Sequence, residues 1–245
     1  MRSGLALLLG CTALACHFLA ALAVQPQAAD NDPPKVTITA PVDNGSFQWN
    51  SVVPYAIDVT DREDGKTEFE EIAANEVLLK IACLPDASRK DKYLLDLAKA
   101  DDQPLRRMSA ANCLTCHAAR TKLIGPSFDQ IAKRYPNTPA TVESLAKKVL
   151  TGATGIWGNV AMPPHPDLKI DQAREMVGWI LNNSLDPDQS FVVGIEGAFR
   201  TREKTDNDAG TGIYVLTASY MDHGLKDRPQ SSKQGQHTVV LKLAQ

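Results

Sequence analysis

Cysteine is scarce in this chain: five occur in 245 residues, and two of them lie within the first 16 positions. The remaining three are too few for a disulfide framework of the kind that holds small exported domains together. The sequence also lacks a glycine-rich phosphate loop and a Ser/His/Asp or Cys/His catalytic set, so no catalytic residues are predicted. With 26 Lys and Arg against 29 Asp and Glu, the net charge of −3 gives no support for nucleic-acid binding.

The first apolar run, residues 5–23, follows a single arginine and ends in the small-x-small pattern Ala21-Leu22-Ala23. This arrangement is typical of a secretory signal peptide, so we expect residues 1–23 to be removed on export and the mature protein to be periplasmic. The run is also about long enough to remain as a membrane anchor facing the periplasm. Attachment of a lipid at Cys11 or Cys16 is a third interpretation of the same segment.

The chemistry of the chain centres on the sequence Cys-Leu-Thr-Cys-His at residues 113–117. C-x-x-C-H is the attachment signature of c-type haem. The thiols of Cys113 and Cys116 can each add across a vinyl group of the porphyrin, and His117 is then placed to take one axial position on the iron. The sequence therefore predicts one covalently bound haem c.

Two other kinds of site use a cysteine pair at this spacing. A structural zinc site needs four ligands, and the chain has no second C-x-x-C and no H-x₃₋₅-H pair. A thioredoxin-like dithiol follows a strand, whereas this motif follows a short helical run. Cys83, the one remaining cysteine, continues an alternation of apolar residues and is predicted to be a buried thiol, with an intermolecular disulfide as the alternative.

A second candidate ligand lies 45 residues after His117, in the stretch 155–164. Met162 stands there between glycines and two prolines, so it cannot belong to a helix that continues past Pro163. A thioether is a soft ligand that raises the reduction potential of a haem, and we predict Met162 as the second axial ligand. His165 is the alternative, and it would give a bis-histidine site with a lower potential.

With both motifs present, residues 102–185 resemble a class I cytochrome c of the small bacterial type. The resemblance is carried by the C-x-x-C-H motif, Gly125-Pro126-Ser127-Phe128, Trp157 with Met162-Pro163-Pro164, and the closing run Met176-Val177-Gly178-Trp179-Ile180-Leu181. It implies an all-α cytochrome c fold. It also implies that the carbonyl of Pro126 accepts a hydrogen bond from the His117 ring, which would fix the orientation of that ring, and that Trp157 lies near a haem propionate.

Alternating apolar residues predict strands on both sides of this segment. The stretches with this pattern are residues 36–41, 53–60 and 76–83 before it, and 212–220 and 237–243 after it, with residues 191–200 as one more candidate. Both groups resemble parts of bacterial immunoglobulin-like domains. That resemblance is carried by Val-Thr-Ile-Thr-Ala-Pro from residue 36 and by Gly-x-Tyr-x-Leu-x-Ala-x-Tyr-x-Asp from residue 212.

Three strands alone would leave unpaired edges and half a hydrophobic core, so the two groups are expected to complete one another. We therefore predict a multidomain α + β protein in which residues 34–88 and 188–245 form an immunoglobulin-like β-sandwich and the cytochrome domain, residues 102–185, is inserted between them. Such an insertion costs the host domain little free energy, because the first and last helices of a small class I cytochrome cross and bring its two ends together. Two separate half-sized β domains are the rival arrangement.

These features predict an exported electron-transfer protein and not an enzyme. With His117 and Met162 on both axial positions, the iron would have no open site for a substrate or oxygen. A second hypothesis makes the chain an electron-accepting subunit or companion of an exported dehydrogenase, because similar arrangements of immunoglobulin-like and cytochrome c domains occur beside quinoprotein sugar dehydrogenases. A haem-based sensor, which needs a ligand that leaves easily, is a third.

The expected partner is a redox protein, with an exported dehydrogenase or a terminal oxidase as candidates. Charge is unevenly distributed along the chain: residues 102–185 carry a net charge of +4, whereas residues 24–101 carry −7 and residues 186–245 carry −1. This distribution favours electrostatic steering of the cytochrome segment toward an acidic partner. A solvated surface of mixed sign is the alternative explanation.

Overall fold

The computed structural model describes residues 30–100, 102–206, 208 and 210–244. Asn31–Gln245 forms one compact unit. The predicted signal peptide, residues 1–23, lies outside the described residues. In the part of the chain that is described, no helix combines the length and apolar character that crossing a bilayer requires.

The strands of the described chain form two sheets and one isolated hairpin. Their bounds are β1 (Lys35–Ala40), β2 (Ser46–Phe47), β3 (Val52–Asp61), β4 (Gly65–Lys66), β5 (Leu78–Leu84), β6 (Ala153–Gly155), β7 (Gly158–Met162), β8 (Gln189–Val193), β9 (Glu196–Arg200), β10 (Ile213–Met221) and β11 (Gln234–Leu243). In the first sheet, β3 pairs with β1, β4 and β9. The second sheet has the order β2-β11-β10-β5-β8, and β6 pairs with β7.

Strand β3 shows why these segments are extended. Its burial alternates: Val53, Tyr55, Ile57 and Val59 are buried, while the side chains between them are exposed or half-buried. A period of two is the pattern of a strand with one face on a core. The strands predicted around residues 36–41 and 53–60 are confirmed, and they pair with each other as β1 and β3.

Strands from both ends of the described chain pair within the same sheets. In the first sheet Val53 of β3 lies opposite Phe199 of β9. In the second, Ile81 of β5 lies opposite Leu216 of β10, and β2 pairs in parallel with β11. We call strands β1–β5 and β8–β11 the two-sheet region. Inward-facing residues of both sheets form a single apolar core that includes Ile38, Tyr55, Ile57, Val59, Leu79, Ile81, Cys83, Tyr214, Leu216, Tyr220, Val239 and Leu241.

Strand β5 departs from the expected alternation because six of its seven residues are buried. Leu79, Ile81 and Cys83 face the core of the two-sheet region, as the alternation predicted, and Cys83 is a buried free thiol. Leu78, on the opposite face, belongs to a second apolar cluster built largely from helices. Both faces of β5 are therefore covered. Strands buried on both faces typically have a continuous apolar sequence and not an alternating one.

Residues 191–200 form two strands, whereas the sequence suggested one. Gly194, at a φ of 130°, lies between β8 and β9 and has a conformation that favours glycine. β8 pairs with β5 in the second sheet, and β9 pairs with β3 in the first. The chain thus crosses from one sheet to the other at this glycine.

Six α-helices occur in the described residues: α1 (Lys90–Leu97), α2 (Gln103–Ala110), α3 (Cys113–Cys116), α4 (Phe128–Arg134), α5 (Pro139–Thr151) and α6 (Ile170–Asn183). We call α2–α6 with the β6–β7 hairpin the helical region. Helices α2, α4 and α5 all contact α6. Because α2 and α6 are the first and last helices of this region, their contact brings its two ends together.

Side-chain caps define where these helices begin. The Ser127 backbone N–H donates to Oε1 of Gln130 at 3.1 Å, which starts α4, and Thr138 Oγ1 accepts from the Thr141 N–H at 3.2 Å ahead of Pro139. Asp171 lies within the first turn of α6. The N-cap is Lys169, whose N–H donates to Oε1 of Gln172 at 2.8 Å.

The two regions share an apolar cluster at their junction. Leu78, Phe191 and Val193 from the second sheet pack there with helical residues that include Leu105, Met108, Leu114, Phe128, Met176 and Ile180. The Trp179 ring of α6 packs against this cluster and contacts Phe191 at a centroid distance of 5.7 Å. At the edge of the junction, Lys80 Nζ lies 2.9 Å from both carboxylate oxygens of Asp102.

Candidate functional site

The C-x-x-C-H motif forms one tight helical turn. Asn112 precedes it at a φ of 58°, in the left-handed region, and separates α3 from α2. The His117 N–H closes the turn by donating to the Cys113 carbonyl at 3.0 Å. Leu114 points into the junction cluster. Since residues three apart lie on the same face of a helix, Cys113 and Cys116 lie on one side of this turn, where both are half-buried free thiols.

The environment of Cys113 does not suit a redox dithiol. Burial raises the pKa of this thiol to about 11. Reactive dithiols have a thiol whose pKa lies below the ordinary value, because the thiolate is the nucleophile. In addition, no group of three or more His, Cys, Asp or Glu side chains able to hold a metal ion occurs in the described residues. The apolar setting of Cys113 fits attachment to a porphyrin instead.

The His117 ring is held by a hydrogen bond to the backbone. Its Nδ1 lies 2.6 Å from the carbonyl oxygen of Pro126, which is the bond expected from the sequence. Since a carbonyl can only accept, Nδ1 carries the proton and Nε2 keeps its lone pair. Burial lowers the pKa of His117, and the Pro126 carbonyl opposes this shift in part. The ring is thus a neutral imidazole with Nε2 available as a ligand.

Two neighbours fix the plane of this imidazole. A Cβ built on Gly125 would lie 2.5 Å from Cε1 of His117, so only glycine leaves room for the ring at this position. The Phe128 ring lies nearly parallel to the imidazole, with an angle of 12° and a centroid distance of 5.6 Å. In the sequence, Gly125 and Phe128 were only two residues of the stretch that resembles cytochrome c. Their contacts with His117 explain why a glycine and an aromatic residue occur there.

Substituting Gly125 tests this arrangement. In Gly125→Ala the methyl group would force the imidazole away from Pro126, so we expect unfolding to become easier by about 1–3 kcal/mol, as for other overpacked sites. The ratio of haem absorbance to protein should fall as well. Gly178→Ala is the control, because a Cβ there meets no atom within 4 Å. Urea unfolding of both variants measures this effect. Equal free energies of unfolding for Gly125→Ala and Gly178→Ala would contradict the close packing of Gly125 against His117.

Met162 ends strand β7 of the β6–β7 hairpin, so the segment expected to be all-α contains one short antiparallel hairpin. Its backbone carbonyl lies beside Gly152, where a Cβ would come within 2.8 Å of it. The Met162 side chain is half-buried, as is His165, whose N–H donates to the Val149 carbonyl at 3.0 Å. In the described chain, no hydrogen bond or ring contact joins Met162 to the Cys113–His117 turn.

Trp157 occupies the tip of the same hairpin and is 37% exposed. The guanidinium carbon of Arg134 lies 4.8 Å from its ring centroid, and Tyr135 meets it edge-on at 6.4 Å. A cation above an indole is favourable and leaves the guanidinium hydrogens free to bind an anion. Sequence reasoning missed Arg134, since nothing in its spacing connects it to Trp157.

The segments that carry the site present apolar side chains at the surface. Leu123 and Ile124 precede Gly125, while Ile156 and Val160 lie on the hairpin, and all four are at least 43% exposed. Apolar side chains concentrated on two short segments indicate a surface that binds something apolar. A porphyrin is a group of this kind, and the chain offers two thiols and the Nε2 of His117 to hold it.

Comparison with known proteins points to one family. The family model described as "Cytochrome c" matches residues 106–184. Cytochrome c-552 of Nitrosomonas europaea is 36% identical over 70 residues, which is 29% of this chain and 68% of that protein. Cytochrome c-551 of Azotobacter vinelandii is 35% identical over 71 residues, covering 29% and 85% of the two chains. A crystal structure of Nitrosomonas europaea cytochrome c552 aligns at 32% identity and a TM-score of 0.31, over 34% of this chain and 98% of that one.

Proposed function

Because the chain belongs to the cytochrome c family, we propose that it is an exported carrier of single electrons whose haem iron is ligated by His117 and Met162. Members of the family are electron-transfer proteins that bind one covalently attached haem c. The observation that carries the proposal is the 2.6 Å hydrogen bond between His117 Nδ1 and Pro126, since it directs Nε2 toward the site. Haem, when bound, supplies a one-electron iron couple.

The protein contributes orientation and shielding to this chemistry. Pro126 fixes the His117 tautomer and makes the imidazole a stronger base. Gly125 and Phe128 hold the ring plane. Met162 would supply a soft sulfur ligand that favours reduced iron and closes the second axial position.

Trp157 and Arg134 fit the surroundings of a haem propionate. The guanidinium carbon lies 4.8 Å from the indole centroid, and the hydrogens of this group could bind a carboxylate. We infer that these two residues bind and partly neutralise one propionate, which corresponds to the position expected for Trp157. Partial neutralisation of that charge would also raise the reduction potential, because it makes the oxidised form less favourable.

For the rest of the chain we propose one immunoglobulin-like sandwich, residues 34–88 and 188–245, with the cytochrome domain, residues 102–185, inserted into it. Pairing of β3 with β9 and of β5 with β8 and β10 supports this division over two half-sized domains. Contact between α2 and α6 supports it too, since an inserted domain needs its ends close together.

Export and partnership complete the proposal. The charge and apolar pattern of residues 1–23 is the basis for a periplasmic location, with a retained membrane anchor as the alternative. Members of the family act with redox partners. For this chain we propose an exported redox protein, either a dehydrogenase or a terminal oxidase, steered in part by the net charge of +4 on residues 102–185.

The proposed ligation can be tested on the purified oxidised protein by near-infrared spectroscopy. A charge-transfer band of the Met–Fe³⁺ pair, together with failure of the reduced protein to bind CO, is the expected result. Rapid CO binding without that band would instead favour the sensor.

Co-purification tests the companion role. The tagged mature protein should then enrich an exported dehydrogenase, and this enrichment should be lost when an antibody masks residues 188–245.

A further inference from the structure

A row of aromatic rings connects the candidate axial ligand with the two-sheet region. The His117 imidazole stacks on Phe128, and Phe128 meets Phe191 of β8 at a centroid distance of 5.9 Å and an angle of 34°. Phe191 in turn meets Trp179 of α6 at 5.7 Å. Phe191 therefore lies one ring away from the imidazole, although it belongs to the sheet and lies 74 residues after His117 in sequence.

Phe191 is fixed from behind by the sheet. β8 pairs with β5 over five residues, and Phe191 lies opposite Lys80, whose ammonium group binds Asp102 at the start of α2. Phe191 itself is 9% exposed. Leu78 and Val193 lie in the same apolar cluster and come from the same sheet. Phe191, the residue behind Phe128, thus belongs to a paired strand whose backbone hydrogen bonds limit its movement.

This arrangement constrains the imidazole at its edge and on one face. Gly125 and the Pro126 carbonyl hold the edge of the ring, whereas Phe128 lies against its face. Phe128 can hold that position only if something occupies the space behind it, because well-packed interiors have no room for ring displacement. Phe191 occupies that space.

We propose that Phe191 is a positioning residue for His117, so that the two-sheet region sets the orientation of the axial imidazole and, through it, the reduction potential. The inference rests on the proposed function, since it takes His117 as an iron ligand. Loss of the Phe191 ring would let Phe128 move away from His117 and admit water to that side of the site. A more polar surrounding stabilises the oxidised, more highly charged iron and lowers the potential.

The test compares Phe191→Ala with Phe199→Ala in the haem-loaded full-length protein. Phe199 is a matched control because it lies on β9, the next strand along the chain, and is also 9% exposed, but packs on Tyr214 in the core of the two-sheet region. We expect Phe191→Ala to lower the midpoint potential and to change the hyperfine-shifted proton NMR signals of the haem methyls, which report the orientation of the axial imidazole. Phe199→Ala should leave both unchanged.

In Phe191→Leu the leucine side chain fills most of the space of the Phe191 ring, so this variant can be measured if Phe191→Ala does not fold. It is expected to shift the potential in the same direction but less, with intermediate NMR changes. Equal shifts in the Phe191 and Phe199 variants, or wild-type signals in Phe191→Leu and Phe191→Ala, would overturn the inference. A wild-type protein without haem absorption would instead refute the proposed function, so the two failures are distinguishable.

Discussion

Replacing Met162 by alanine is expected to lower the midpoint potential by on the order of 0.1 to 0.3 V, a fraction of the roughly 0.8 V range that axial ligands control. The cause is the loss of a thioether, which favours the reduced ion more than water or a nitrogen ligand does. The same substitution should open one axial position. Reduced protein should then bind CO, and oxidised protein should bind cyanide, whereas the wild type should bind neither readily.

Met176→Leu is the matched control for this experiment. Met176 lies in α6, is 2% exposed and belongs to the junction cluster, so its replacement changes packing without touching a ligand. Spectroelectrochemistry and CO titration would be run on both variants. If Met162→Ala kept the wild-type potential and bound no CO, Met162 would not be a ligand. His165→Ala would then be the variant expected to open the iron.

Deletion of residues 188–245 is expected to unfold the N-terminal β structure. The deletion removes β8 and β10, the two neighbours of β5, and also β9, a neighbour of β3. The core of the two-sheet region would lose Phe199, Tyr214, Leu216, Tyr220, Val239 and Leu241. At about 1.5–3 kcal/mol for each buried side chain, this loss is comparable with the whole stability of a typical domain, about 5–15 kcal/mol.

Hydrogen exchange provides the most direct measurement of this effect, because it reports each strand separately. Amides of β1, β3 and β5 should be protected in the full-length protein and exchange at once in a chain that ends at residue 187. The full-length mature protein is the control. A soluble fragment that retained protection in β1, β3 and β5 would show that the N-terminal strands fold alone, as the rival arrangement of two half-sized domains requires.

Local patterns in the sequence predicted much of this structure. The alternation in β3 depends only on the order of neighbouring residues, and it predicted the strand and its buried face. The C-x-x-C-H motif is equally local, because a single helical turn places both thiols on one side. Such local features can be predicted when the segment has one face on a hydrophobic core and the other in solvent.

Features that depend on contact between distant segments could not be predicted. β5 is covered on both faces because the helical region packs on the sheet, and alternation alone describes only one of those faces. The same packing gives Trp179 a partner, Phe191, that lies on a strand of the sheet. Arg134 meets Trp157 only because the tip of the hairpin comes to the last residue of α4, and no periodicity encodes that contact.

The central claim is that a haem is covalently attached at Cys113 and Cys116. The mature protein, made in a host competent in cytochrome maturation, should be extracted with acidified acetone and its pyridine haemochrome spectrum recorded. We predict that one haem per chain remains with the protein, and that the Cys113→Ser and Cys116→Ser double variant retains none. A colourless wild-type protein whose two thiols react fully with an alkylating reagent after denaturation would contradict the account.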